Sequence, residues 1–320
     1  MRHIVLLASL AVAAAACRDT TGMDAAASPE AAGLARPDLR EERASLIAAG
    51  NAVSSAIAAN GVASGLGDAL TNNALLLSPR VATLQGRDAA TTFLASAPNA
   101  PTALSWEVIV ADVSNDASQG YTWAQGSSTI DFGTGGEPTP SFFLTYWRRT
   151  ESGRWRIAAF VLNRGGPQPL PLPEGFGTPT TKHSRNFPPT DVTELRQDLR
   201  ATDAAFSAAS VSDGTGPAFE RFAAPNGIAV GGLFVFGPAA IGEAFSSGPD
   251  DVVSWEPRFA DAASSGDLGF TVGDAVFNLV GIPTFYTKYL TVWRKQKKGD
   301  WRFVADFGNS RPAPDSALSR

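Results

Sequence analysis

"LTVWRKQKKGDWRFVADFGN", residues 290–309, aligns without a gap to "LTYWRRTESGRWRIAAFVLN", residues 144–163. Nine positions are identical: Leu144/Leu290, Thr145/Thr291, Trp147/Trp293, Arg148/Arg294, Gly153/Gly299, Trp155/Trp301, Arg156/Arg302, Ala159/Ala305 and Asn163/Asn309. Chance would give about one or two in a segment of this composition. Each segment is an apolar run, a polar turn ending in glycine and a second apolar run, the pattern of an antiparallel hairpin.

The match continues upstream with small drifts in spacing. "LSWE" at Leu104–Glu107 faces "VSWE" at Val253–Glu256, "GYT" at Gly120–Thr122 faces "GFT" at Gly269–Thr271, and Gly86 faces Gly237. Drifts of a few residues are what loop-length changes between copies of one unit produce. Six of the seven tryptophans fall into three pairs, and Trp123 is left over. The chain is a tandem duplication. Between the copies lies a segment with seven prolines in residues 164–190, which disfavours helix and sheet and reads as a linker. The expected organisation is a first domain over residues 37–165, a linker over 166–189, a second domain over 190–312 and a tail over 313–320. Each domain is long enough to bury a core of its own.

Within the second copy, "ELRQDLRATDAAFSAA" places Leu195, Leu199, Ala205 and Phe206 at helical spacing, with Asp191 as its N-cap. "PAFERFAAPNG" reads as a short second helix stopped by Pro225 and Gly227, and "GPAAIGEAF" as a third. From Val252 the pattern is strand-like, with Val253, Trp255 and Phe259 on one face and Ser254, Glu256 and Arg258 on the other. The first copy repeats this with Leu104, Trp106, Val108 and Val110 against Ser105, Glu107 and Ile109. Helices followed by long antiparallel strands make an α+β domain whose sheet must cover its apolar face with the N-terminal helices. A sheet curved around a long helix leaves a conical cavity at one end.

The ends and the charge narrow the function classes. The formal net charge is −5, and the largest basic cluster, Arg294–Lys298, sits in a hairpin turn, so nucleic acid is not an expected partner. Residues 1–16 carry a basic start and an apolar stretch, Ile4–Ala16, that is short for a bilayer span and reads as an export signal. Cys17 follows directly, where a bacterial lipoprotein carries its lipid-modified cysteine. Cleavage that leaves Cys17 free is the alternative. Residues 17–36 then form a flexible tether. The expected location is the periplasm or outer membrane, or secretion if Cys17 stays unmodified.

The helical start, the "GPAAIGEAF" helix, the "GFT" strand and the closing "YLTVWRK…GDWRFVADFGN" hairpin resemble the nuclear-transport-factor-two-like superfamily. They are most similar to its ketosteroid-isomerase-like and SnoaL-like groups. The resemblance covers both copies. It implies a cystatin-like fold, a cone-shaped curved antiparallel sheet wrapped on N-terminal helices, present twice. It implies no one activity, because such folds serve isomerases, cyclases, dehydratases, binding modules and oligomerisation domains.

Both histidines, His3 and His183, and Cys17 lie outside the two domains. A Ser-His-Asp triad, a Cys-His pair and a histidine or cysteine metal site are thereby excluded from both. Carboxylate, tyrosine and lysine chemistry remains, and it needs no cofactor. Asp306 and Lys288 break the apolar pattern of the sheet where the first copy has Phe160 and Phe142. One reading is a catalytic pocket with Asp306 as base, Tyr286 or Tyr289 as donor and Lys288 beside them. The other is a cross-strand ion pair on the outer face. By strict alternation Asp306 points away from Trp301 and Phe303. Glu220 and Asp68, taken as equivalent positions on the second helix, are candidates for the cavity mouth. Trp123 is a candidate to stack on a ligand in the first domain, or else core. The shared arginines are expected to flank the hairpin and bury only their stems.

Two functions stay open. One is an exported, lipid-anchored, non-catalytic tandem domain that binds a small apolar molecule or a protein, its two sheets able to pack on each other. The other is a cofactor-free isomerase, lyase or cyclase confined to the second domain.

Overall fold

A computed structural model describes residues 37–314 apart from 97, 100, 131–135, 166–190 and 231–233. The stretches read as export signal (1–16) and tether (17–36) with Cys17, and the whole expected linker (166–189) with His183, lie outside the described residues. The first half runs α1 (Leu39–Asn60), α2 (Val62–Gly67), β1 (Leu70–Leu77), β2 (Leu84–Gln85), α3 (Arg87–Ala95), β3 (Leu104–Val113), β4 (Gln119–Ser128), β5 (Thr139–Arg149) and β6 (Trp155–Arg164). The second repeats the order with α4 (Val192–Asp213), α5 (Thr215–Phe222), β7 (Ala223–Val230), β8 (Phe234–Phe236), α6 (Pro238–Ala244), β9 (Val252–Ala262), β10 (Leu268–Asn278), β11 (Phe285–Lys295) and β12 (Trp301–Arg311).

Local chemistry sets the helix ends in both copies alike. Asp38 and Asp191 cap α1 and α4 by accepting from the backbone N–H of Arg40 and Thr193. Gly61 and Gly214 end these helices at φ 79° and 94°, a conformation costly for any residue with a Cβ, and the chain turns at once into the short second helix.

Each half builds one six-stranded sheet, ordered β2-β1-β6-β5-β4-β3 and β8-β7-β12-β11-β10-β9. The sheets are mixed, because β1 runs parallel to β6 and β7 parallel to β12. The sequence pattern suggested antiparallel sheets alone and missed β7. Pro225 and Gly227 do not stop a helix there; they sit in a strand whose pairing with β12 slips between Ala223 and Ile228, so the missing N–H breaks no ladder.

Three cores result. α1, α2 and α3 cover one face of the first sheet around Leu46, Trp147, Phe143 and Phe160. α4, α5 and α6 do the same for the second around Leu199, Phe206, Trp293 and Phe303. The third core joins the other faces of the two sheets: Trp123, Phe142, Leu144, Tyr146 and Val161 pack with Phe270, Leu290, Val292 and Phe307. Each such side chain, withdrawn from water, stabilises the fold by about 1.5–3 kcal/mol. The described residues of both halves accordingly cluster as one compact unit.

Polar groups close the edges of that shared core. Arg294 reaches across to Asp112 (2.8 Å) while holding Asp267 of its own half (2.7 Å), and Arg43 takes the other Asp112 oxygen (2.8 Å). At the equivalent place Arg148 crosses to Asp261, which also accepts from Arg196 (2.7 Å). These arginines do not merely flank a hairpin, as the sequence suggested. The hairpins' last shared residue also spans the halves: Asn309 donates to the carbonyls of Leu77 (2.8 Å) and Leu162 (2.9 Å), and Asn163 donates to that of Gly308.

Bulges decide which side chains face where. Val292 pairs with Ala305 and Trp293 with Phe303, leaving Val304 as an extra residue; in the first half Ala158 is the extra one. Similar shifts interrupt β3 at Val108/Val110 and β9 at Phe259/Pro257. Each flips the alternation. Val110, Ile109 and Phe259 therefore pack against the shared core, whereas Val108, Val253 and Trp255 belong to the helix side.

Candidate functional site

The bulge at Val304 turns Asp306 back onto the face of Trp301 and Phe303, contrary to strict alternation. There it borders a cavity of about 400 Å³ between the second sheet and its helices. Odd-numbered residues of β11 form one wall: Thr291 and Tyr289 are buried, Thr287 is half-buried, and Phe285 stands at the opening with 38% of its surface exposed. Phe206, Phe219, Phe245 and Trp255 furnish aromatic walls, with Phe206 and Trp255 edge to face at 4.5 Å and Phe219 stacked on Phe245 at 4.1 Å. Phe277 stacks on Phe285 at 4.6 Å and continues the apolar lining outward.

Asp306 is paired in register with Thr291, whose hydroxyl donates to its carboxylate. Burial, with the negative charge of Asp203 adding to it, pushes the Asp306 carboxyl up to about 7 against the pull of that hydrogen bond. Asp203, on α4, is fully buried and accepts from the Tyr289 hydroxyl (2.8 Å) and from Trp255 Nε1 (2.8 Å). Burial raises it to about 6, the donors opposing. Burial also drives the Tyr289 phenol well above its usual value, followed by the repulsion of Asp203. Gly273 makes the pair possible, since a Cβ there would stand 2.4 Å from the Tyr289 hydroxyl.

The same positions in the first half are filled. Trp106 Nε1 donates to the backbone carbonyl of Gly50 where Trp255 finds Asp203, and a shared serine contact, Ser54 with Trp106 N and Ser207 with Trp255 N, fixes the equivalence. Phe143 and Phe160 replace Tyr289 and Asp306, and their rings pack at 6.1 Å with Trp106 at 4.9 and 5.8 Å.

Of the residues singled out in the sequence, Asp306 and Tyr289 meet in this cavity. Tyr286 does not: it lies an odd number of residues from Tyr289 on β11 and faces the other side, away from the lining. Lys288 shares that opposite side. It is buried and donates to Asn309 Oδ1 (2.7 Å) and the Ser310 carbonyl (2.9 Å), so it makes no pair with Asp306. Burial and the nearby Arg311 lower its amine to about 7. Trp123 stacks on no pocket; it is buried in the shared core, 4.8 Å from Phe234. Glu220 and Asp68 are both exposed and border no part of the cavity. They are not equivalent either, because the pairings Leu70 with Ile157 and Ala223 with Phe303 place Gly67 opposite Glu220. Glu220 instead packs over Gly242.

Asp203 was missed, although the sequence carries its signal. It falls four residues after Leu199 and three before Phe206, on the buried stripe of α4, where a carboxylate needs partners.

No family model and no curated protein matches the chain. Solved structures do. A ketosteroid isomerase-like protein from Erwinia carotovora atroseptica is 20% identical, with 40% of this chain and 98% of that chain covered and a TM-score of 0.33. A nuclear transport factor 2-like superfamily protein from Salmonella enterica serovar Typhimurium is 13% identical over 40% and 98%, with a TM-score of 0.32. A protein from Novosphingobium aromaticivorans with a cystatin-like fold is 17% identical over 40% and 90%, also at 0.32. The likeness is one of fold, and nothing about activity follows from it. By its own element order, each half of this chain is an α+β arrangement of N-terminal helices and one six-stranded sheet, present in tandem.

Proposed function

We propose that the second half is a receptor for one small, mainly apolar molecule, with the first half as its scaffold. The observation that carries this reading is the aromatic-lined cavity of about 400 Å³ around Asp306, at positions the first half fills with phenylalanine. That volume lies within the range of about 300–1,000 Å³ usual for small-molecule sites. A small molecule is favoured over a protein partner docked on a sheet face, because those faces cover each other. The reading includes export through residues 1–16 and anchoring through Cys17, supported by the sequence alone. Native mass spectrometry of the mature chain tests the receptor. A retained molecule in the wild type, lost in Ala275→Phe, which fills the cavity from β10, supports it. Equal retention by both would refute it.

A second reading is favoured by the orientation of Asp306 alone. A carboxyl held near neutrality in an apolar cavity can take up and return a proton, as a cofactor-free isomerase, lyase or cyclase requires. Tyr289, whose hydroxyl is committed to Asp203, would act through reorientation toward the bound molecule. Under this reading Asp306→Asn binds the retained molecule and no longer converts it; unchanged conversion would rule the base out.

A further inference from the structure

The chemistry of the cavity lining, taken with the receptor reading on which this rests, narrows the ligand class. Among the described residues Asp306 is the one charged side chain in the lining, and no lysine, arginine or histidine of theirs borders it. Lys288, the nearest candidate cation on β11, faces the other side. The remaining polar side chains are hydroxyl-bearing, among them Thr287 and Thr291, while the Asn309 amide is turned to the other face and spent on Leu77, Leu162 and Lys288. Around them stand Phe206, Phe219 and Trp255, whose ring faces carry partial negative charge. A carboxylate ligand would meet a like charge with nothing to neutralise it. An ammonium group would meet a carboxylate and aromatic faces together.

We infer that the cavity takes an apolar amine, its ammonium placed on Asp306 and its hydrocarbon body laid along the aromatic walls toward Phe277 and Phe285. Polarity runs the right way for this. Thr291, 1% exposed, lies beside Asp306, whereas Phe285 is 38% exposed. Beyond the mouth the β10–β11 hairpin exposes Val280 and Ile282, so the apolar track continues outside the cavity. The six residue steps of strand from Phe285 to Thr291 span about 20 Å, enough for an extended chain of some ten carbons.

Three probes of one chain length decide the matter: decylamine, decan-1-ol and decanoic acid. Each is titrated into the full mature chain at pH 8, with calorimetry and intrinsic tryptophan fluorescence as readouts. The amine is expected to bind at least about tenfold more tightly than the alcohol, the scale of one charge-assisted hydrogen bond, and the acid more weakly than either. Asp306→Asn is expected to bring the amine to within about twofold of the alcohol while the alcohol itself still binds. Alcohol binding with no advantage for the amine, or an advantage that survives Asp306→Asn, would overturn the inference and leave the receptor standing. Failure of all three probes, together with equal retention by the wild type and Ala275→Phe in native mass spectrometry, would overturn both.

Discussion

Three of the positions at which the two halves of this molecule differ lie together at the inner end of the helix-covered face. Gly50, Phe143 and Phe160 in the first become Asp203, Tyr289 and Asp306 in the second, on strands and helices that otherwise keep the same caps, bulges and tryptophan contacts. Trp147 and Trp293 each donate to an equivalent threonine, Thr122 and Thr271, at 2.9 and 2.8 Å. The scaffold is therefore indifferent to what fills its inner end. An aromatic trio closes that end; two acids and a phenol, with Gly273 cleared beneath them, leave it open.

The comparison can be broken most severely by exchanging one residue. Phe160→Asp puts a carboxylate among close-packed rings, opposite Thr145 but with no open space around it, and should cost about 4–5 kcal/mol or prevent folding, read by urea denaturation. The reverse change, Asp306→Phe, should be tolerated, because the space exists. Next comes the pair of crossing arginines. Arg294→Ala leaves Asp267, fully buried, and Asp112 without their shared cation, at a cost of about 3 kcal/mol. Arg148→Ala should cost about 1 kcal/mol, since Arg148 is a third exposed and Arg196 still holds Asp261. Equal losses would show that the two ends of the shared core are not held differently.

A finer test uses pH. The folded carboxyls of Asp306 and Asp203 titrate near 7 and 6, above the ordinary aspartate value of 3.8. Between those values the unfolded chain has lost protons that the folded protein keeps. The stability these groups contribute is full below about pH 4 and is lost as pH rises through 6 and 7. Asp306→Asn should raise the midpoint of thermal unfolding at pH 8, have little effect at pH 4 and flatten the slope between them. A variant that shifts both pH values equally would contradict the assignment. The smallest effect is expected from Tyr289→Phe, which removes one donor to Asp203 but leaves Trp255; it should cost about 1 kcal/mol and push the upper part of the pH slope further toward neutrality.

Much of the architecture could be read without coordinates, because duplication doubles the signal: nine identities in one hairpin and three tryptophan pairs identify a repeat that a single copy would hide. What escaped was geometry that leaves no mark in apolar spacing. An extra residue at Val304 reverses the face on which Asp306 stands, and similar insertions in β3 and β9 reverse Val110 and Phe259. Period-two reading assumes an unbroken ladder. Asp306 was legible as a break in the apolar pattern and Tyr289 as one of two candidate donors, but their neighbour Asp203 was hidden by its place on a helix, where its partners come from β9 and β11. Lys288 shows the converse. It broke the pattern as Asp306 did, and its role proved to be a strap on Asn309 at the edge of the shared core.

The apolar seam between the two sheets has a consequence for how such a protein can change. Two identical chains joined through this face would receive every substitution twice, so a buried acid acquired on one side would be imposed on the other. Fusion into one chain removes that constraint. One copy is free to keep the tight aromatic filling while its twin takes up buried acids. Asp306 occurs once, and the joined sheets are what allow a single occurrence to persist.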